Sequence, residues 1–187
     1  MGALFRITAA GVLETLYSFC SQPKCIDGYD PSPGLIQATD GNLYGTTATG
    51  GVYGSGAIYK STLSGTMTTL YSLCAQANCP DGQDPGPLIQ ASDGNSYGAT
   101  DAGGNPTCGT ELPHGVPTPF SCGTIFKMSP SGVVTVLYTF QTATVDGYDW
   151  QGALLQASNG IFYGTTAQGG TEDLRTIFSL SVGLSPP

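Results

Sequence analysis

Six aspartates recur in a short motif that could bind a metal ion. The motif is Asp-Gly-x-Asp, and it occurs three times along the chain. Calcium binds about six to eight carboxylate and carbonyl oxygens, so the motif indicates a calcium site in each copy. The same residues are typical of tight turns, and the spacing of known calcium loops does not occur. The candidate ligands are Asp27, Asp30, Asp81, Asp84, Asp146 and Asp149.

Repeated aromatic residues could bind a carbohydrate. Their flat rings can stack on a sugar, and a tyrosine hydroxyl can form a hydrogen bond to it. Packing between sheets is the alternative, since aromatic residues in strands usually fill such space. Trp150 stands where earlier copies have Pro31 and Pro85, so it is either a ligand platform or a packing plug. The candidate ligand-binding residues are Tyr44, Tyr97, Tyr163 and Trp150.

No arrangement of residues indicates a catalytic site. The single histidine, His114, has no nucleophile motif near it. The glutamates Glu14, Glu111 and Glu172 occupy unrelated positions, so a glycosidase pair would need aspartates that turn chemistry already explains. The sequence therefore predicts a protein that is not an enzyme.

Six cysteines fall into three local pairs: Cys20 with Cys25, Cys74 with Cys79, and Cys108 with Cys122. The first two pairs follow the same Leu-Tyr-Ser run, and the third brackets an insertion at 105–122. Three local disulfides are the simplest pairing, because these gaps without nearby histidine are poor zinc spacing. Disulfides persist in oxidising compartments. We therefore expect an extracellular or cell-surface protein whose export signal was in a precursor or has been removed.

These residues recur because the chain repeats itself, with a period of about 53 residues. Asp-Gly-Asn-Leu-Tyr-Gly-Thr-Thr at 40–47 returns with changes at 93–100 and again at 159–166. We divide the single domain, 1–187, into three units at about 3–56, 57–123 and 124–180.

Composition and turn residues predict an all-β fold. The chain has 28 glycines and 10% charged residues, which suits short strands better than helices. Each unit reads as four antiparallel strands, for example 34–38, 42–47, Ala57–Ser61 and 67–73, joined by glycine turns. Both faces of these strands carry apolar side chains, so each sheet needs a neighbour on both sides. The pattern predicts tandem four-stranded blades like those of a β-propeller.

The chain begins and ends on the same type of strand. Residues 3–8 and Thr176–Leu180 both match Ala57–Ser61, which gives four copies of the third strand and three of each other kind. Three blades are fewer than the usual minimum of about four. The units therefore form an open arc, or several chains complete one another by sharing strands in a ring or a fibre.

The charge of the chain excludes some partners. A net charge of −8 with five Lys and Arg residues disfavours nucleic acid and anionic lipid. No apolar run reaches the roughly 20 residues of a membrane-spanning helix.

The order of these motifs resembles a bacterial family of tandem-repeat proteins, the choice-of-anchor GloVer repeat proteins. The matching elements are Gly-Thr-Ile-Phe-Lys, Thr-Leu-Tyr-Ser-Phe, Leu-Ile-Gln-Ala and Asp-Gly-Asn-Leu-Tyr-Gly-Thr-Thr followed by Gly-Gly. They cover nearly the whole chain except 105–122. The resemblance implies an exported protein, often held by a variable C-terminal anchor, although residues 182–187 are not an anchor. It implies no catalytic residues.

Two functional hypotheses follow from the sequence. The first is a non-catalytic extracellular structural protein whose partners are copies of itself. The alternative is a lectin-like or calcium-dependent module that binds carbohydrate, with about one site per repeat. The first needs no cofactor, and the second would use calcium.

Overall fold

The computed structural model describes residues 2–108, 122–141, 146–150, 152–170 and 175–187. Within these ranges the regular structure is β-strand apart from a 3-10 turn at Pro23–Cys25, which confirms the all-β prediction. The described part contains no helix with the length and apolar character needed to cross a membrane. Most of the predicted insertion at 105–122 lies outside the described residues, and so do His114, Glu111 and Glu172.

The described strands form four antiparallel sheets. A hairpin contains β1 (Ala3–Ile7) and β2 (Leu13–Ser18). Sheet I contains β3 (Tyr29–Pro31), β4 (Ile36–Gln37), β5 (Leu43–Thr49), β6 (Ala57–Ser61) and β7 (Met67–Ser72). Sheet II contains β8 (Gln83–Pro85), β9 (Ile89–Gln90), β10 (Ser96–Ala102), β11 (Thr124–Met128) and β12 (Val134–Thr139). Sheet III contains β13 (Tyr148–Trp150), β14 (Leu155–Gln156), β15 (Phe162–Gln168) and β16 (Thr176–Leu180).

The first strand of each sheet is broken into two pieces. In sheet I both β3 and β4 pair with β5, and the order then continues through β6 to β7. The sequence predicted one first strand at 34–38 and a turn before it, and it missed the strand Tyr29–Pro31. Pro33 and Gly34, which has a φ of 95°, lie between the pieces. Proline donates no ladder hydrogen bond, so pairing stops between them.

The two ends of the stack hold incomplete sheets. The hairpin corresponds to the third and fourth strands of a sheet, and sheet III has the first three strands in the described residues. The sheets run from 29 to 72, 83 to 139 and 148 to 180. These limits are offset from the repeat units at 3–56, 57–123 and 124–180, because a period can be counted from any strand.

Successive sheets pack face to face in chain order. Tyr59 of sheet I packs with Leu4 of the hairpin. Ile58, the preceding residue, lies on the opposite face and packs with Leu88 and Phe126 of sheet II. A third cluster joins sheets II and III around Ile125. Ile58 and Tyr59 are adjacent in β6 but pack at two different junctions. Both faces of the strand are therefore apolar.

The glycine of each Asp-Gly-x-Asp motif lies against a buried threonine. Gly28 has a φ of 90°, and a Cβ atom there would collide with the side chain of Thr47. The Thr47 hydroxyl accepts a hydrogen bond of 3.2 Å from the backbone N–H of Ala57. The motif therefore anchors the start of the first strand to the second and third strands, and glycine is required for that approach.

Candidate functional site

The first aspartate of each motif bonds to a tyrosine of the preceding fourth strand. Asp27 is buried and accepts hydrogen bonds from the Tyr17 hydroxyl at 2.7 Å, from Ser21 N–H at 2.9 Å and from Gln22 N–H at 3.3 Å. Burial raises the pKa of Asp27, but the bonds from Tyr17 and Ser21 outweigh it and hold that pKa below its ordinary value. The equivalent bonds are Tyr71 to Asp81 and Tyr138 to Asp146.

The second aspartate of each motif adopts a left-handed backbone conformation. The φ angles are 60° at Asp30, 52° at Asp84 and 59° at Asp149. Burial, followed by the negative charge of Asp30, raises the pKa of Asp84. Among the described residues, no group of three His, Cys, Asp or Glu side chains is placed to hold a metal ion. Calcium binding at the six aspartates stays a prediction, and the first aspartate of each motif already has a tyrosine partner.

Asp101 is an acidic residue that the sequence reasoning missed. Burial, followed by the charges of Asp149 and Asp84, raises its pKa to about 6. Its carboxylate accepts a 2.9 Å hydrogen bond from the backbone N–H of Trp150, which joins sheet II to sheet III. No repeated motif marks Asp101, because the equivalent positions hold Ala48 and Ala167.

We expect Asp101→Asn to stabilise the protein at pH 7. The folded pKa of Asp101 lies above its unfolded value, so folding favours the protonated form and stability falls as pH rises from about 4 to 6. Asparagine removes the charge and can still accept from Trp150 N–H. The gain is about 1 kcal/mol, since partial solvent access weakens the effect. Thermal unfolding between pH 4 and pH 7 measures it, and an equal gain at pH 4 would contradict this explanation.

The candidate ligand-binding aromatics lie mostly inside the stack. Tyr44 and Tyr97 are buried, and their hydroxyls donate 2.9 Å hydrogen bonds to Asp40 and Asp93. Burial, together with the bond to Asp40, raises the pKa of Tyr44 to about 12. Tyr163 is half-buried, and its hydroxyl accepts a 3.2 Å hydrogen bond from Asn159.

Trp150 fills the junction between sheets II and III. Its ring centroid lies 5.3 Å from that of Phe178, and a Cβ atom at Gly86 or Gly164 would crowd its indole. The side chain is buried. Trp150 therefore packs within this junction, and ligand binding at Trp150 stays a prediction.

The chain contains three disulfides, Cys20–Cys25, Cys74–Cys79 and Cys108–Cys122. The first two close the loops that carry Asp27 and Asp81 toward their tyrosines. Such short loops lose conformational freedom when closed, which helps to fix the aspartates in place.

Positions that are buried within the stack are exposed at its two ends. We call the face of a sheet toward the next sheet in the chain its trailing face, and the opposite one its leading face. On trailing faces, Ile58 has 0% of its surface exposed, whereas the equivalent Ile177 of sheet III has 81%. On leading faces, Tyr59 is buried, whereas the equivalent Phe5 of the hairpin is 59% exposed.

The first and second strands of each sheet, here called its inner strands, show the same contrast in exposure. Leu88 of sheet II is 3% exposed, and the equivalent Leu35 of sheet I is 43% exposed, because the hairpin has no inner strands to cover it. At the other end, Leu155 is exposed while its equivalent Ile89 is packed against the core. The hairpin and sheet I form the leading end of the stack, and sheet III forms its trailing end. These two ends therefore expose the two surfaces that pack against each other at the internal junctions.

A glutamine forms a pair of hydrogen bonds, here called the glutamine clasp, between sheets I and II and again between sheets II and III. Gln90 of sheet II accepts from the N–H of Thr39 at 2.9 Å and donates to its hydroxyl at 3.3 Å. Gln156 of sheet III makes the same two bonds to Ser92, each at 3.0 Å. Gln37 of sheet I is the equivalent glutamine at the leading end. Ser158 of sheet III is equivalent to Thr39 and Ser92 and lies at the trailing end. The sequence reasoning missed this role, although the glutamine recurs in all three units.

An apolar groove of about 190 Å³ runs beside the outer edge of β16. Most of its lining is apolar, with one carboxylate and the hydroxyls of a serine and a tyrosine: Ile125, Tyr138, Phe140, Asp146, Phe178, Ser179 and Leu180. In sheets I and II the corresponding edge is paired by the fourth strand, β7 or β12. Within the described residues, sheet III has no strand there.

The chain is similar to several solved structures, and the one with a TM-score above 0.5 supports a propeller-like fold. The selenomethionine-substituted virginiamycin B lyase from Staphylococcus aureus is 16% identical, with a TM-score of 0.56 over 98% of this chain and 50% of that chain. A putative gluconolactonase is 10% identical with a TM-score of 0.45, over 96% of this chain and 71% of that chain. A streptogramin B lyase is 15% identical with a TM-score of 0.41, over 95% of this chain and 62% of that chain.

The chain thus spans half the length of the virginiamycin B lyase that it matches. These neighbours have the names of enzymes, but identities of 10–16% assign no activity to this chain. No curated protein matches the chain. The Gloeobacter/Verrucomicrobia repeat family matches residues 1–184. In agreement with the resemblance seen in its motifs, the chain belongs to the Gloeobacter/Verrucomicrobia repeat family.

Proposed function

We propose that this chain is a non-catalytic structural protein that acts outside the cell and associates end to end with copies of itself. The observation that carries the proposal is the pairing of exposed positions at the two ends with buried equivalents at the internal junctions. Ile177 and Phe5 are exposed, while Ile58 and Tyr59 are buried. A soluble protein gains stability by covering such apolar surface.

The repeated junction indicates how two copies would meet. Within the chain, a trailing face always packs on the leading face of the following sheet. The trailing end of one copy and the leading end of another can therefore meet in the same way. Such head-to-tail contacts give a ring if the rotation closes and a fibre if it does not. Three disulfides are consistent with an extracellular location.

A charge placed at the trailing end tests the proposal. We expect the native 187-residue chain to associate as its concentration rises, and Ile177→Asp to weaken this association by at least about 100-fold, because a carboxylate would be buried in an apolar contact. Val52→Asp is the matched control, since Val52 is also exposed but lies in a loop of sheet I. Sedimentation velocity measures both variants.

Comparison with this control defines the results that would contradict end-to-end association. Val52→Asp changes the net charge by the same amount, so it should associate like the native chain. A native chain that stays monomeric at all concentrations would refute end-to-end association. Equal weakening by both substitutions would show that net charge, rather than the trailing face, governs it.

A further inference from the structure

β1 and β16 are equivalent strands at opposite ends of the chain. β1 pairs with β2 through Leu4↔Tyr17 and Phe5↔Thr15, with a register shift between Leu4 and Phe5. β6 pairs with β7 in the same way, and its shift falls at the equivalent point. β16 presents the same kind of edge beside the apolar groove, but no described strand pairs with it there. Either β1 or β16 could therefore pair with a strand like β2.

We propose that β16 of one copy replaces β1 beside β2 of the next copy when the chain assembles, so that β1 caps the assembly site in the monomer. This inference rests on the proposed end-to-end association and adds its mechanism and its control. The joined sheet would contain β13 to β16 of one copy and β2 of the next. With each broken first strand counted once, the described chain has thirteen strands, and three complete sheets need twelve. The strand left over is β1.

The exchange covers surface that the hairpin leaves exposed. Ile177 takes the place of Leu4 against Tyr59 of the next copy, since these residues occupy equivalent positions. β14 and β15 arrive with β16 and lie over the inner strands of sheet I, where Leu35 is now exposed. Ser158 then faces Gln37 of the next copy, as Thr39 faces Gln90 within the chain.

The groove beside β16 accepts a residue that is exposed in the monomer. Val134, near the start of the fourth strand of sheet II, packs in the same cluster as Leu70 and Tyr71 of sheet I. Leu13 is the equivalent residue of β2 and is exposed. In the exchanged assembly, Leu13 of the next copy enters the groove against Tyr138.

The turn before the fourth strand also fits this arrangement. Gly65 and Gly132 lie against the backbone carbonyls of Leu16 and Leu70 in the preceding sheet. The equivalent turn in the hairpin contains Gly11, and a Cβ atom there would meet nothing within 4 Å. Leu137 of sheet II is equivalent to Leu16 and Leu70. Gly11 of the next copy would lie against Leu137 and complete the series.

Release of β1 would therefore control assembly. The one ion pair of the hairpin, Arg6 to Glu14 at 2.7 Å, is exposed on both partners and contributes little to holding β1. Leu4 contributes more, because it is buried against Tyr59 and Phe19. In the exchanged assembly Leu4 is no longer needed, since Ile177 replaces it.

A cysteine pair tests the exchange directly in the full chain. Ser179 is equivalent to Arg6, so it should lie opposite Glu14 of the next copy, as Arg6 lies opposite Glu14 in the hairpin. We expect Glu14→Cys with Ser179→Cys to give a ladder of covalent oligomers on non-reducing gels. We expect Arg6→Cys with Glu14→Cys to lock β1 in place and to reduce association at least tenfold. Lys60→Cys with Thr68→Cys is the matched control, because it locks the equivalent pair within sheet I.

The outcomes separate this inference from the proposed function. A ladder, with association blocked by the hairpin lock but not by the lock in sheet I, supports the exchange. Association without a ladder, and unaffected by the hairpin lock, overturns the exchange and leaves end-to-end packing in place. Monomers in every variant, with the native chain monomeric as well, overturn both.

Discussion

Phe162→Ala is expected to destabilise the protein by about 3–5 kcal/mol, because the substitution opens a cavity in a closed core. Phe162 lies in β15 and is fully buried. Its ring centroid is 4.5 Å from that of Tyr97 in sheet II, so the side chain packs across the junction between the two sheets. Since a domain of this size is stable by about 5–15 kcal/mol, the loss is a large share of the total.

Urea unfolding at low protein concentration measures this loss without a contribution from association. Ile177→Ala is the control, because it removes a similar apolar side chain that is exposed at the trailing end. We expect the control to change stability by less than about 0.5 kcal/mol. Similar losses in the two variants would contradict the packing of sheet III on sheet II.

Asp27→Ala is expected to cost about 2–3 kcal/mol at pH 7, because it removes a buried carboxylate that accepts several charge-assisted hydrogen bonds. The donors are the Tyr17 hydroxyl, the Ser21 N–H and hydroxyl, and the Gln22 N–H. The folded pKa of Asp27 lies below its ordinary value, so its contribution is complete above about pH 4 and is lost as pH falls further. The difference between native and variant proteins should therefore shrink at pH 3.

The same variant separates turn chemistry from calcium binding. If Asp27 acts through its hydrogen bonds, Asp27→Ala loses the same stability with calcium as with a chelator. A loss that occurs solely in the presence of calcium would indicate a metal ligand instead. Asp30→Asn is the control, because Asp30 is exposed and asparagine tolerates its positive φ. It should change stability by less than about 0.5 kcal/mol.

The regular strands could be predicted from the sequence because their pattern is local. Glycine turns bracket Ala57–Ser61, and the same pattern located Thr176–Leu180. The short strand Tyr29–Pro31 could not be predicted in this way. It overlaps the turn motif, contains a proline, and forms because Tyr29 pairs with Thr49 on a distant part of the chain. Long-range pairing of this kind leaves no local signal.

The chemistry of the candidate site was harder to predict than the fold. The sequence identified Asp27 as a recurring acid, but not the tyrosine ten residues earlier that donates to it. Asp101 could not be found by repetition, since its equivalents are alanines. The exposed faces at the two ends could not be predicted either. Ile58 and Ile177 have similar sequence surroundings, and their exposure depends on whether another sheet follows in the chain. The one sequence feature that indicated incomplete sheets at the ends was the fourth copy of the third strand.

The glutamine clasp has a consequence for how proteins of this kind can change in length. Gln90 and Gln156 make the same pair of bonds to the sheet before them, and neither bond depends on which sheet that is. A gene duplication that adds one unit would supply both partners of a new clasp. The array could grow or shrink by whole units while its first and last surfaces stayed the same.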